Sequence, residues 1–425
     1  MHPNLFPSFR FSPLAALCAV VVLFSSGPLV AATLKVPSQY PSIQAAVTAA
    51  SPGDNIVVSP GTWVEQVVIP AGKDKLTLKS EKPLQAIIKA PPVMVGIKAI
   101  VQVDGAQNVK IQAFTIAGPG GGNPDSIEFG VFVGNNGSAT IQQNHITDIR
   151  DNPLGGTQNG IGVGIGRAST GQVGTGTVQN NMIDNYQKGG VEVSGIGSSA
   201  KIQNNTVTGA GPTTAIAQNG IQVSDGATAQ VSNNDVSGNA YTPQTVASAT
   251  GILLFNPGAV TVENNDVSAD DVNIFVQGAT ATQSAPVTVR NNHTSGAVTL
   301  DGIDLYTSTG VEISNNTSEN NAADGIFVNS DTSNNLLKNN KLTNNGAFDA
   351  QDNSVGAGTC GTANTWQNNK CQTDNRGGCL CHNGGGQNAS TADAVGADDT
   401  AMRNTAVAAP NPAGPASARK VQPFR

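Results

Sequence analysis

The 425-residue sequence predicts an all-β protein wound as a parallel β-helix, and three observations carry that expectation. A pattern centred on paired amides recurs nine times, a Gly-aliphatic-x-aliphatic pattern interleaves with it, and charge is scarce. Asp, Glu, Lys and Arg make up 12% of the chain, about half the usual share, which argues against a long coiled coil or a charge-rich disordered chain. The 49 Gly and 23 Pro disfavour long helices. With 29 acidic against 22 basic residues and a net charge of −7, nucleic acid is not an expected partner.

Residues 1–32 read as a secretory signal. Arg10 gives a positive flank, Leu14 to Phe24 an apolar stretch, and Val30-Ala31-Ala32 the small residues of a cleavage site. The apolar run is too short to span a bilayer, so a secreted or periplasmic protein with no membrane span is expected.

A stacked coil exposes strand edges at its first turn, which calls for a cap. Pro41 to Ala50 supplies a short helix, with Pro41 at its first position. Ile43, Ala46, Val47 and Ala50 then follow helical spacing. Stacking is expected to begin with Asn55–Val58, Ser59–Trp63 and Gln66–Ile69.

The body is the repeat. Ile141-Gln-Gln-Asn144-His-Ile146 is followed by Val178-Gln-Asn-Asn181, Ile202-Gln-Asn-Asn205 and six further copies ending at Trp366-Gln-Asn-Asn369. The second Asn recurs at a minimum spacing of 24 residues, and any excess must be loop. Between copies lie Gly130-Val-Phe-Val133, Gly160-Ile-Gly-Val163, Gly190-Val-Glu-Val193, Gly220-Ile-Gln-Val223 and their successors. Alternating β-branched residues mark half-buried strands. Units of this kind bury their apolar face only by stacking, and strands that recur once per unit stack in parallel, about 4.8 Å apart. The Asn pairs suit bends, where Asn tolerates left-handed backbone and stacked amides bond from coil to coil. Asn204 and Asn315, though followed by glycosylation-like triplets, therefore read as ladder residues. The helix domain is placed at 33–382. Residues 383–425 carry too few large apolar groups to fold and read as a disordered tail.

Ser42-Ile-Gln-Ala-Ala-Val47, with Pro52-Gly-Asp-Asn-Ile-Val-Val and Pro60-Gly-Thr-Trp, resembles the entry segment of secreted right-handed β-helix proteins. This is the pectin-lyase-like superfamily, which includes pectin methylesterases and NosD-like periplasmic accessory proteins. The resemblance implies a groove along one stacked sheet, walled by long loops. It does not carry an activity: the Gly-x-x-Asp-Phe-Ile-Phe-Gly and Arg-Pro-Trp of methylesterases, the Gly-His-Gly of polygalacturonases and the Asp-Pro-His-Asp of mannuronan epimerases are all absent.

The longest inserts, 146–158, 207–218 and 236–249, all precede a glycine strand, and long inserts on an economical scaffold carry function. In each strand the residue between the aliphatics faces outward. The outward row reads Phe132, Gly162, Glu192, Gln222, Leu253, Phe275, Asp304 and Phe327, with Phe255 and Tyr306 two residues further along their strands. Phe132, Gln222, Phe255, Phe275, Asp304 and Tyr306 are the expected sugar contacts, although outward aromatics equally suit burial under a loop or against a partner. Charge concentrates near Gly160 and Gly190, where Lys188 is the candidate base, Arg150 or Arg167 the partner of a uronate, and Glu192 a neighbouring carboxyl. The expected partner is an acidic polysaccharide met by a monomer; the competing class is a non-catalytic surface or periplasmic scaffold. Glu192 and Asp304, four coils and roughly 19 Å apart, are too distant to act as a hydrolase pair. Asp301 and Asp324 share a slot in adjacent coils, which suits a turn and also a bridging Ca²⁺; no other cofactor is expected. His145 and His293 lie five coils apart and make no common metal site.

Cys360, Cys371, Cys379 and Cys381 cluster within 22 residues at the end of the repeat. Export favours disulfides over zinc, for which His382 would be a spare ligand. Three pairings are possible. Cys371–Cys379 inside Cys360–Cys381 is expected, because nested closure ties the final loop back over the last coil.

Overall fold

The computed structural model describes residues 31–122, 124–243 and 247–381. The expected signal up to residue 30, His382 and the expected tail lie outside the described residues. Contacts divide the chain between Ala31 and Ala32, and the β-helix lies in the second unit.

Among the described residues, 35 short strands and one α-helix form three parallel sheets. One sheet has thirteen strands, from Thr33–Val36 to Thr365–Gln367. The second contains the glycine strands, eleven in all, from Val67–Pro70 to Ala350–Asp352. The third has eleven strands of three or four residues, from Gly61–Val64 to Lys341–Thr343. Each strand pairs with its counterparts one coil up and one coil down, as a once-per-repeat strand must. Inward aliphatics fill the lumen: Val131, Val163, Val191, Ile221, Ile252, Ile274, Ile303 and Ile326 are all fully buried in one continuous core.

The capping helix runs Ile43–Ala49, with Ser42 as N-cap accepting from the Ala45 N–H, so Pro41 precedes the cap rather than opening the helix. Both Glu65 carboxylate oxygens accept from the first turn, from the N–H groups of Ile43 and Gln44 at 2.9 Å each. This satisfies donors that a helix start leaves orphaned. Thr33–Val36, ahead of the helix, already pairs with Asn55–Val58, so stacking begins one strand earlier than expected.

The amide pairs divide two roles that the sequence reading had merged. The first Asn of each pair takes the left-handed bend, with φ near +55° at Asn180, Asn204, Asn233, Asn264, Asn291, Asn315, Asn339 and Asn368. The second is buried and builds the ladder. Asn205 Oδ1, for example, accepts from the Asn181 backbone N–H and side-chain amide, while its own amide donates to Val178 O and Asn234 Oδ1. The same connection continues unbroken from Asn144 to Asn369. Asn204 and Asn315 are exposed bend residues, and their partners Asn205 and Asn316 are the rungs.

At the far end the cysteines do form two disulfides, but the pairing is Cys360–Cys379 and Cys371–Cys381. The bridges interlace instead of nesting. Leu380, between the two bridged residues, is fully buried in the core, and Cys360, Cys371 and Cys381 pack against it. The turn from Asp374 to Leu380 directs Cys379 outward and Cys381 inward, a geometry that spacing alone does not encode. Proteolytic mapping without reductant is expected to recover those two linked pairs. Cys360→Ala/Cys379→Ala is expected to lose about 3 kcal/mol, as for a closed loop of this size, read by urea unfolding. Fragments linked Cys371 to Cys379 would refute the interlaced cap.

Candidate functional site

The glycine-strand sheet brings the outward row together, with one shift. Phe132 stands beside Gly164, and Gly164 beside Glu192, so the true motif copy in that coil is Gly162-Val-Gly-Ile165. The reading from Gly160 was displaced by two residues. A two-residue slip preserves which side chains face out, so the row survives the error: Phe132, Gly164, Glu192, Gln222, Leu253, Phe275, Asp304 and Phe327.

Outward aromatics suit sugar stacking or burial, and along two stretches of this face the side chains cover one another. Phe129 and Phe132, with ring centroids 4.7 Å apart, pack with Ala99 and Ile161. Further along the sheet, Tyr306, six coils on, meets Phe275 edge to face at 5.2 Å and lies 5.7 Å from Phe327, and Leu253, Val272 and Leu300 complete that cluster. Phe255 packs against it and keeps partial exposure. Asp304 is buried within the same stretch of the sheet. Aromatic rings bury a large apolar area, so they close over one another where neighbouring coils bring them into register.

Between the clusters lies a polar window. Lys188 (2% exposed) and Glu192 (5%) lie at its centre, and Lys188 Nζ donates to Ala217 O in the second long insert at 2.9 Å. Burial pulls the Lys188 ammonium down to about 8, opposed by the charge of Glu192. Burial pushes the Glu192 carboxyl up to about 8; Arg167 and Lys188 oppose that rise, and Asp225 adds to it. At neutral pH, therefore, Glu192 holds a proton and Lys188 carries most of its charge. A hydrogen-bond chain leads in from neighbouring coils. Thr250 Oγ1 donates to Asn219 Oδ1 (2.8 Å), Asn219 Nδ2 to Gln222 Oε1 (2.8 Å), and Gln222 Nε2 reaches Glu192 Oε1 at 3.5 Å.

Arg167 enters from the other edge. Its two terminal nitrogens donate to Glu128 Oε1 at 3.1 Å, and its guanidinium stacks 5.4 Å over the Phe129 ring. Arg150 does not join this group: its bonds go to Asp148 Oδ1 and Asp151 O within its own insert. Three of the four proposed catalytic residues thus share one electrostatic neighbourhood. The sequence reading missed Glu128, Asp225, Asn219 and Thr250. In a chain this poor in charge, an acid flanking a motif strand was the available signal for Glu128 and Asp225. Asn219 and Thr250 gave none, since polar residues at strand starts are ordinary turn chemistry.

The described parts of the inserts make contacts of their own. Thr213 of one insert and Tyr241 of the next form a parallel bridge, and Ala217, Tyr241, Ala247 and Ala249 form a small apolar cluster beside Lys188. In insert 146–158, buried Asp151 accepts from Thr157 Oγ1 and Gln187 Nε2. Asp301 and Asp324 act as turn acceptors: Asp301 Oδ1 takes the Asp324 N–H at 2.6 Å, and Asp324 Oδ1 takes the Phe348 N–H. His145 bonds Asp184, and His293 lies between Asp266 and Glu319 on the third sheet, so the two histidines stay in separate neighbourhoods. Among the described residues no helix is long and apolar enough to cross a membrane.

The family model described as right handed beta helix region matches residues 98–269 and 250–395, well over half of the chain. No curated protein sequence matches it. Among solved structures, the GH136 lacto-N-biosidase from Eubacterium ramulus aligns with TM-score 0.53 at 12% identity, covering 74% of this chain and 65% of that one. XylC in complex with xylose aligns with TM-score 0.50 at 12% identity, covering 78% and 77%. The A-module of the Azotobacter vinelandii mannuronan C-5 epimerase AlgE4 gives 0.47 at 16%, covering 77% and 92%. At such identities the likeness is one of fold. Three parallel sheets wound once per repeat and a family match across most of the body lead to one conclusion: the chain belongs to the right handed beta helix region family.

Proposed function

We propose that this is a secreted or periplasmic protein that acts on an acidic polysaccharide at the polar window of the glycine-strand sheet. The observation that carries the reading is the pair Lys188 and Glu192, both drawn to about 8 on one outward sheet face beside the long inserts. Perturbed acid–base groups beside inserted loops are the usual mark of a functional site. The names of the lacto-N-biosidase and the xylose complex support a carbohydrate partner without specifying an acidic one, and two disulfides support an oxidising compartment.

In this reading neutral Lys188 removes the C5 proton of a uronate, and the C5–H electron pair forms the C4–C5 double bond. The C4–O bond breaks, and protonated Glu192 gives its proton to the departing oxygen. Arg167 supplies the positive field that steadies the carboxylate during proton removal. Returning a proton to the opposite face of C5 before the C4–O bond breaks would give the epimer instead.

The test is incubation of the purified protein with a panel of uronate polymers in deuterated water. Ultraviolet absorbance reports the alkene, and NMR reports deuterium at C5. Either signal is expected, with a narrow bell centred near pH 8, since the base must be neutral while the acid keeps its proton; Lys188→Ala should abolish it. Neither signal nor binding from any polymer would overturn the reading. The burial of the aromatic row favours one competitor, a non-catalytic scaffold whose outer sheet face is closed.

A further inference from the structure

The cap at the end of the helix holds chemistry unrelated to the polar window. The sulfurs of Cys371 and Cys381 and a carboxylate oxygen of Asp374 lie within 4.8 Å of one another, the only such trio of His, Cys, Asp or Glu ligands among the described residues. Asp374 is buried, and its carboxylate is fixed by the turn it encloses. Oδ1 accepts from the N–H groups of Arg376 and Gly378 at 2.8 Å each, and Oδ2 from that of Leu380 at 3.0 Å. A carboxylate offers about four acceptor positions, so one remains.

The frame around this trio does not depend on the Cys371–Cys381 bond. Arg376 donates to Asp352 O and Ser354 O, tying the turn to the preceding coil. Leu380 is seated in the core, and its N–H stays bonded to Asp374, so the frame rests on these contacts and on neither disulfide. Opening the one bridge therefore leaves both sulfurs and the carboxylate close to where they are.

We propose that the reduced cap is a metal clip: with the Cys371–Cys381 bond open, the two thiolates and Asp374 bind one thiophilic divalent cation of the Zn²⁺ class. Two sulfurs and one carboxylate form a set that Zn²⁺ takes in tetrahedral geometry, with water in the fourth position. The opening step balances with a small-molecule dithiol: it supplies two electrons and two protons to the disulfide and leaves as its own disulfide. Cation binding then releases the two thiol protons to solvent. The cap would so be closed by a covalent bridge under oxidising conditions and by a metal under reducing ones.

The test uses the full chain carrying Cys360→Ser and Cys379→Ser, which leaves Cys371 and Cys381 as the only cap cysteines. After dithiothreitol treatment and desalting, titration with Co²⁺ should give a thiolate charge-transfer band saturating at one ion per chain and displaced by Zn²⁺. The oxidised sample should give no band, and Asp374→Asn should weaken Co²⁺ binding at least tenfold. A silent reduced sample, or equal affinity in Asp374→Asn, would overturn the proposal. A second readout uses the unsubstituted protein, fully reduced: Zn²⁺ should raise its unfolding midpoint, and an unchanged midpoint counts against the site equally.

Discussion

Asn205→Ala is expected to destabilise the protein by roughly 2–6 kcal/mol, far more than its size suggests. Four hydrogen bonds of 2.9–3.0 Å end on this one side chain. Alanine would leave the Asn181 N–H without its acceptor and Val178 O without the side-chain donor, at about 1–3 kcal/mol each, whereas Asn234 Oδ1 keeps the Asn205 backbone N–H. Asn205 is buried, so solvent does not readily replace the lost partners. Asn205→Asp separates acceptor from donor: the carboxylate still accepts from Asn181 but cannot donate to Val178 O. Asn204→Ala is the contrasting control. That residue is exposed at φ +55°, so its loss costs only the left-handed backbone preference, on the order of 1–2 kcal/mol. Urea unfolding of the three variants checks the ranking. Equal losses at 204 and 205 would remove the ladder as a principal source of stability.

Glu192→Gln is expected to reshape the dependence of stability on pH. The folded-state value of Glu192 is raised to about 8, above its unfolded value near 4.5. Between those limits the folded chain keeps a proton that the unfolded chain releases, so stability falls as pH rises through the window. Lys188 runs the other way. Its folded value of about 8 lies below the ordinary 10.5, so between 8 and 10.5 the unfolded chain holds the extra proton and stability recovers. Together they place a minimum near pH 8. Gln at 192 cannot ionise, so the descending arm should flatten and the variant should be more stable than the parent at pH 8, by an amount on the order of a few kcal/mol. Asp270, also buried and raised well above its usual value, contributes a descending arm in both proteins, so the difference between them isolates Glu192. Melting temperatures from pH 4 to 10 measure it; superimposable profiles would show that Glu192 is ionised in the fold.

The features that repeat were legible from residue order. Asn-Asn spacing, alternating aliphatics and the short Ser42-Ile-Gln-Ala-Ala-Val47 helix each encode a local preference whose consequence is the same in every coil. Stacking then follows from burying one apolar face. The outward row was legible for the same reason: side-chain direction has a period of two, so even the misplaced register at Gly160 named Gly162, which shares its face with the true row member Gly164. Only the tertiary structure decided what lies over that row. Whether Phe132 and Tyr306 meet sugar or one another depends on how rings from different coils and inserts of unequal length pack, and no repeat encodes that. The cysteine pairing and the separation of Arg150 from Lys188 belong to the same class. Each is set by the path of a single non-repeating segment: Asp374 holds the turn that Arg376 ties to Asp352 and Ser354 of the preceding coil, and Arg150 bonds Asp148 and Asp151 within its own insert.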